Sequence, residues 1–167
     1  MNKKKYIISS RARKAMENEL CRFPNLETGG VLLGYSDKEH GIQVLEVVDG
    51  GYQYVIREMH SFQYDNEYVI HLCEQIAELY TPALKVVGIW HKHNAQKEIP
   101  FSRADEDMHK QMLKLYDYPC ISILYEKITS ETESESSHAV RVFLLGHDAP
   151  TDISKKIELL ETRLNYE

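Results

Sequence analysis

Apolar residues recur at four-residue spacing at Ala12, Met16 and Leu20, with Ala15 beside them, which predicts a helix over residues 9–22. Ser9 or Ser10 can cap it, and Pro24-Asn25 ends it. Gly29 to Gly34 is a short apolar run between glycines. Ile42 to Val48 is rich in β-branched residues up to the turn Asp49-Gly50-Gly51, so the two runs read as a hairpin pair. Behind a capping Asp65, the residues Tyr68, Val69, Leu72, Ile76 and Leu79 form one stripe over 65–80, stopped by Thr81-Pro82. Lys85 to His93 reads as a buried strand, Arg103 to Tyr116 as a third amphipathic helix, and Cys120 to Tyr125 and Ala139 to Leu145 as further strands. Asp152 is placed to cap a last helix carrying Ile153, Ile157, Leu160 and Leu164. Strands and helices alternate, with neither an internal repeat nor a dividing linker, which predicts one domain of α/β class, α+β type, over residues 1–167. Thr129 to Ser137 contains no apolar residue and cannot repay the entropy of ordering, so a flexible acidic loop is expected near 129–138.

Composition narrows the class. At 167 residues, with 43% hydrophobic and 28% charged side chains, the chain has enough apolar material for a core without staples. The net charge of −6 disfavours general nucleic-acid binding, which rests on positive charge. Lys3, Lys4, Lys5, Arg11, Arg13 and Lys14 crowd the first fourteen residues, but Tyr6-Ile7-Ile8 is followed at once by Ser9, Ser10 and Arg11, too short an apolar stretch for a secretory signal. No run approaches the roughly 18 apolar residues of a membrane span. A soluble, cytoplasmic protein with neither a membrane nor a nucleic-acid partner is therefore expected. Cys21, Cys73 and Cys120 are odd in number and far apart, which suits reduced core thiols rather than a disulfide framework.

Phosphate-cradling glycine motifs and H-E-x-x-H are absent. What stands out is Gly88-Ile89-Trp90-His91-Lys92-His93, followed after eight residues by Ser102-Arg103-Ala104-Asp105. Alternate residues of a strand share a face, so His91 and His93 would present two imidazoles about 6–7 Å apart at Cα. Asp105 would lie in the first turn of the next helix, from which a carboxylate can swing toward the strand end. Two imidazoles and one carboxylate make three ligands and leave a fourth tetrahedral position to water, the arrangement of a catalytic zinc site. Each half also has a plain explanation. An H-x-H pair arises readily by chance in a chain with eight histidines, and S-x-x-D fits an ordinary helix capping box. Their combination at this spacing is far rarer than either alone. His109, four residues after Asp105, reads as exposed, as do His71 and Glu74; His40, His60, His138 and His147 have no partner pattern.

Taken with Glu27-Thr28-Gly29-Gly30-Val31-Leu32-Leu33-Gly34 upstream, H-x-H and S-x-x-D resemble the signature of the JAMM (MPN+, JAB) metalloproteases. The resemblance extends to the element order over essentially the whole chain. It implies an MPN/JAB-like fold, a mostly antiparallel central sheet flanked by helices. It implies one zinc ion held by His91, His93 and Asp105, a general acid/base at Glu27 and an oxyanion-stabilising hydroxyl at Ser102. It also implies cleavage of a peptide or isopeptide bond after the C-terminal tail of a ubiquitin-like protein, by deconjugation or precursor processing, with E1- and E2-like proteins as operon partners. A catalytically silent MPN scaffold and a small-molecule or peptide amidase using the same zinc site are the other functions open to such a chain. Two departures stand against the usual pattern: the gap between the second His and Ser is eight residues where seven is common, and Asn94 stands where Pro is common.

Overall fold

Tyr6-Ile7-Ile8, a run too short to stand out by periodicity, forms the strand β1 (Lys5–Ser9), and the chain turns directly into α1 (Ser10–Arg22). The Ser9 hydroxyl accepts the Ala12 N–H and so caps that helix, while donating to the Leu45 carbonyl on the neighbouring strand. The computed structural model describes residues 3–128 and 137–160. After α1 come the antiparallel strands β2 (Thr28–Asp37) and β3 (Gly41–Asp49), the short hairpin β4 (Ile56–Arg57) and β5 (Phe62–Gln63), and α2 (Asn66–Ala77), capped by Asp65. Then follow β6 (Lys85–His93), α3 (Arg103–Leu115), β7 (Ile121–Ile128), β8 (Ser137–Leu144), β9 (Thr151–Asp152), a 3₁₀ turn over Ser154–Lys156 and β10 (Ile157–Leu160).

Among the described residues, eight strands form one sheet in the order β10-β1-β3-β2-β6-β7-β8-β9. The class is α+β as expected, but the sheet is mixed: β1 runs parallel to both β10 and β3, and β6 parallel to β7, while the remaining pairs are antiparallel. The parallel β6–β7 pair follows from α3, which is the crossover between them. On one face α1 packs Ala12, Met16 and Leu20 onto Leu32, Val44 and Trp90. On the other, α2 lays Val69 over Val31 and Leu33, and α3 lays Met112 over Ile89. No helix among the described residues is long and apolar enough to cross a membrane.

Three expectations need correction or placing. The last helix does not form over residues 153–160. Asp152 accepts from both the N–H and the hydroxyl of Ser154, a local turn that competes with a helix start, and Ile157–Leu160 pairs with the open edge of β1. Cys120 is buried and Cys73 half-buried, but Cys21 is exposed on α1 and serves no core; all three are free thiols. The acidic loop falls at 129–136, outside the described residues, and Ser137 already belongs to β8.

Candidate metal centre

The centre of the sheet is tight where β2 enters it. Gly29 lies opposite His91 and Gly30 opposite Trp90. A Cβ at Gly29 would run into the Trp90 carbonyl and meet the His91 Cβ and a Phe62 ring carbon at 2.9 Å, and one at Gly30 would collide with the Val48 carbonyl. Only glycine allows so close an approach. Thr28 pairs with Lys92, and continuing that register brings Glu27 to the level of His93, on the face that carries both histidines.

Residues of β6 alternate strictly here. Ile89, His91 and His93 face α3, and Trp90 and Lys92 face α1. The two imidazoles lie edge to face with ring centroids 4.6 Å apart, both buried. Asp105 comes to them on the first turn of α3, whose start is a complete capping box. The Ser102 hydroxyl accepts the Asp105 N–H at 3.2 Å, and the Asp105 carboxylate accepts the Ser102 N–H at 2.7 Å and its hydroxyl at 2.8 Å. The plain reading of S-x-x-D as helix punctuation is thus correct, and it is compatible with the other. The box fixes the carboxylate with Oδ1 3.3 Å from Nε2 of His91 and Oδ2 3.5 Å from Nε2 of His93.

These three side chains offer donor atoms that all lie within 4.8 Å of one another. The His91–Asp105 contact lacks hydrogen-bond alignment, so the buried His91 Nε2 has no hydrogen-bond partner among the described residues. A tetrahedral zinc site with bonds of about 2.1 Å has edges of about 3.4 Å; each imidazole lies near that distance from one oxygen of Asp105, and the three donors together lie within 4.8 Å. An orphaned imidazole nitrogen, at ligand-edge distance from a carboxylate rather than aligned on it, is what a cation between them would satisfy. The donor set fits zinc.

Glu27 lines a cleft of about 800 Å³ together with His91, His93, Ser102 and Asp105, with Phe62, Ile99 and Phe101 among its apolar lining. Its backbone N–H is held by the Glu58 carbonyl at 2.7 Å. Burial pushes the Glu27 carboxyl up, against the pull of His93 and His91. Burial also works against an ionised Asp105, yet the adjoining His91 and His93 imidazoles and the Ser102 N–H hold that carboxyl well below the usual carboxylate range.

All five residues singled out in the sequence meet in this cleft. His109 does not behave as expected: it is buried, stacked edge-on against Phe101, and neither ring nitrogen has a partner among the described residues. Burial pulls its imidazole down to about 4, which favours the neutral ring. His60, without a partner pattern in sequence, lines the cleft on the side of Glu27. Two other residues went unnoticed. Lys92 is wholly buried, and Glu126, also buried, binds Arg141 and accepts the N–H of Lys97 in the loop between His93 and Ser102. Lys92 was visible as a charge inside a run that otherwise reads as a buried strand, where a charge needs a partner, and Glu126 follows directly on the run Cys120 to Tyr125.

A mixed sheet with one helix on one face and two on the other, carrying a His-x-His strand and a carboxylate-bearing helix cap over a shared cleft, defines a JAB-type domain. The family model for prokaryotic homologs of the JAB domain matches residues 9–150, and the chain belongs to that family. Among solved structures, the solution structure of protein DSY2949 from Desulfitobacterium hafniense is similar in fold. It matches with a TM-score of 0.59 at 17% sequence identity, covering 96% of this chain and 97% of that one. Among curated proteins, none matches.

Proposed function

We propose that the protein is a zinc-dependent hydrolase that cleaves a peptide or isopeptide bond after the C-terminal tail of a ubiquitin-like protein. The observation that carries this reading is the convergence of His91, His93 and Asp105 within 4.8 Å of one another in a cleft that Glu27 also lines. His91, His93 and Asp105 would hold the ion. When bound, zinc supplies Lewis acidity toward a carbonyl oxygen and lowers the pKa of water to about 7.

In this reading Glu27 works as general base and then general acid: its carboxylate takes a proton from the attacking water and returns it to the departing amine. Its raised proton affinity suits it to carry that proton between the two steps. The Ser102 hydroxyl stands beside Asp105 and is the donor offered to the developing oxyanion. That hydroxyl now gives its proton to Asp105 Oδ2, so serving an oxyanion requires it to rotate away while its oxygen keeps the Asp105 N–H. Phe62, Ile99 and Phe101 supply apolar walls against which an extended tail with small residues can lie while water is kept from the reacting bond.

The test is to load the purified protein with zinc and offer it a ubiquitin-like protein fused through a terminal Gly-Gly, beside short peptide amides. Cleavage after Gly-Gly, abolished by chelator and restored by zinc, is the expected result. Cleavage of the short amides alone would make the protein an amidase, and failure to bind metal would make it a scaffold.

A further inference from the structure

The strand that presents the two histidines also grips the segment that delivers Glu27. Lys92 lies between them and points to the opposite face, with no exposed surface. Its ammonium has three N–H donors, and all three are used on backbone carbonyls of one short segment: Phe23 at 2.8 Å, Pro24 at 2.8 Å and Leu26 at 3.0 Å. Phe23 is the C-cap of α1, where carbonyls lack helix partners and a cation is favourable. Leu26 directly precedes Glu27. Asn94, the residue after His93, adds a second tie: its side-chain amide donates to the Asn25 carbonyl at 3.1 Å and to the Met59 carbonyl at 2.7 Å. A proline at that position would have no side-chain donor to give.

From this geometry we infer that Lys92 is a positioning residue that fixes the Glu27 carboxylate relative to His91 and His93 by clamping residues 23–26. A neutral unbranched side chain of similar size would fill most of the space but leave three carbonyls without a donor, so that the segment shifts and Glu27 moves with it. The histidines on the other face of β6, and Asp105 on α3, would stay in place. The inference rests on the hydrolase reading for its effect on rate, but the clamp can be tested without it.

The experiment compares wild-type protein with Lys92→Met, Lys92→Arg and Asn94→Ala in zinc content, steady-state hydrolysis of the Gly-Gly fusion, and amide hydrogen exchange. Lys92→Met should keep one zinc per chain and a KM within about twofold, while kcat falls about 10–100-fold, the cost of a displacement near 1 Å at a reacting group. Exchange at residues 24–28 should speed up at least about tenfold, with α3 and the rest of β6 unchanged. Lys92→Arg, which keeps a cation with donors, should recover most of kcat. Unchanged kcat and unchanged exchange in Lys92→Met would show that Lys92 only fills space; loss of zinc in step with kcat would show that it acts on the ligands. Either result overturns the inference. Should Lys92→Met not fold, Asn94→Ala, which cuts the tie from the surface, must show the same pattern at smaller size, and wild-type behaviour there overturns it. If wild-type protein hydrolyses nothing, the hydrolase reading has failed, and exchange at residues 24–28 still decides the clamp.

Discussion

Glu27 and Asp105 reach one cleft from two parts of the fold, the first from the loop entering the central strand β2 and the second from the opening turn of α3. Their surroundings treat a negative charge in opposite ways. Around Asp105 stand two imidazoles and the N–H and hydroxyl of Ser102 at a helix start, and the carboxylate is held ionised. Around Glu27 the dominant influence is burial, and its carboxyl holds a proton more readily than usual. In the hydrolase reading, two carboxylates with proton affinities driven apart would divide the work: the one that stays charged is suited to a cation, and the one that exchanges its proton is suited to acid–base chemistry. The difference arises from placement. The helix start supplies the Ser102 N–H and hydroxyl to Asp105, whereas Glu27 is half-buried at the entry of β2, where burial outweighs the pull of His93 and His91.

The contrast can be broken by exchanging what each carboxylate loses. Asp105→Ala should have the largest effect, removing stoichiometric zinc and all hydrolysis together, as read by metal analysis and by cleavage of the Gly-Gly fusion. Glu27→Gln should leave zinc bound and reduce kcat about 10²–10⁴-fold, the range of a lost general acid/base. Loss of metal in that variant would mean that the two carboxylates do not differ in role. Ser102→Ala touches both sides of the comparison: kcat should fall about 10²-fold through the missing oxyanion donor. The metal-free protein should also lose about 1 kcal/mol with its helix cap, visible as a Tm lower by about 2–4 °C.

The smallest effect is on the pH dependence of the metal-free fold. A carboxyl with a raised folded-state pKa favours the fold at low pH and loses that contribution as pH rises through the folded value, so ionised Glu27 weakens the apo fold at neutrality. Glu27→Gln should raise the apo Tm at pH 7. That advantage should vanish below roughly pH 4, where the carboxyl is protonated in both states. Asp105, with a lowered folded-state pKa, stabilises the apo fold above its unfolded value and loses that contribution as pH falls. Asp105→Asn should therefore lower the apo Tm at pH 7, by differential scanning fluorimetry at both pH values.

How much of this was readable beforehand depended on whether a residue's neighbours along the chain decided its conformation. The helices α1, α2 and α3 were legible because their apolar stripes and the caps Ser9, Asp65 and Ser102 are local signals. The hairpin of β2 and β3, and β6, were legible as runs bounded by glycines or polar segments. The pairing of β1 with β10 was not, because Ile157–Leu160 is strand only where a distant edge receives it, and its spacing alone fits a helix. At the site, H-x-H and S-x-x-D named three donors that the fold brings together, since strand alternation and a capping box are both short-range geometry. The buried state of His109 and the grip of Lys92 on Phe23, Pro24 and Leu26 join residues far apart in the chain, and no local pattern encodes such contacts.

The central claim is that His91, His93 and Asp105 together hold one cation while Glu27 does not. Titration of the metal-free protein with zinc, followed by calorimetry, tests this most directly when run in parallel on wild-type, Glu27→Gln and His91→Ala proteins. One zinc per chain in the first two, and none held stoichiometrically in the third, is the predicted result. Equal binding by all three, or no binding by the wild-type protein, would contradict it.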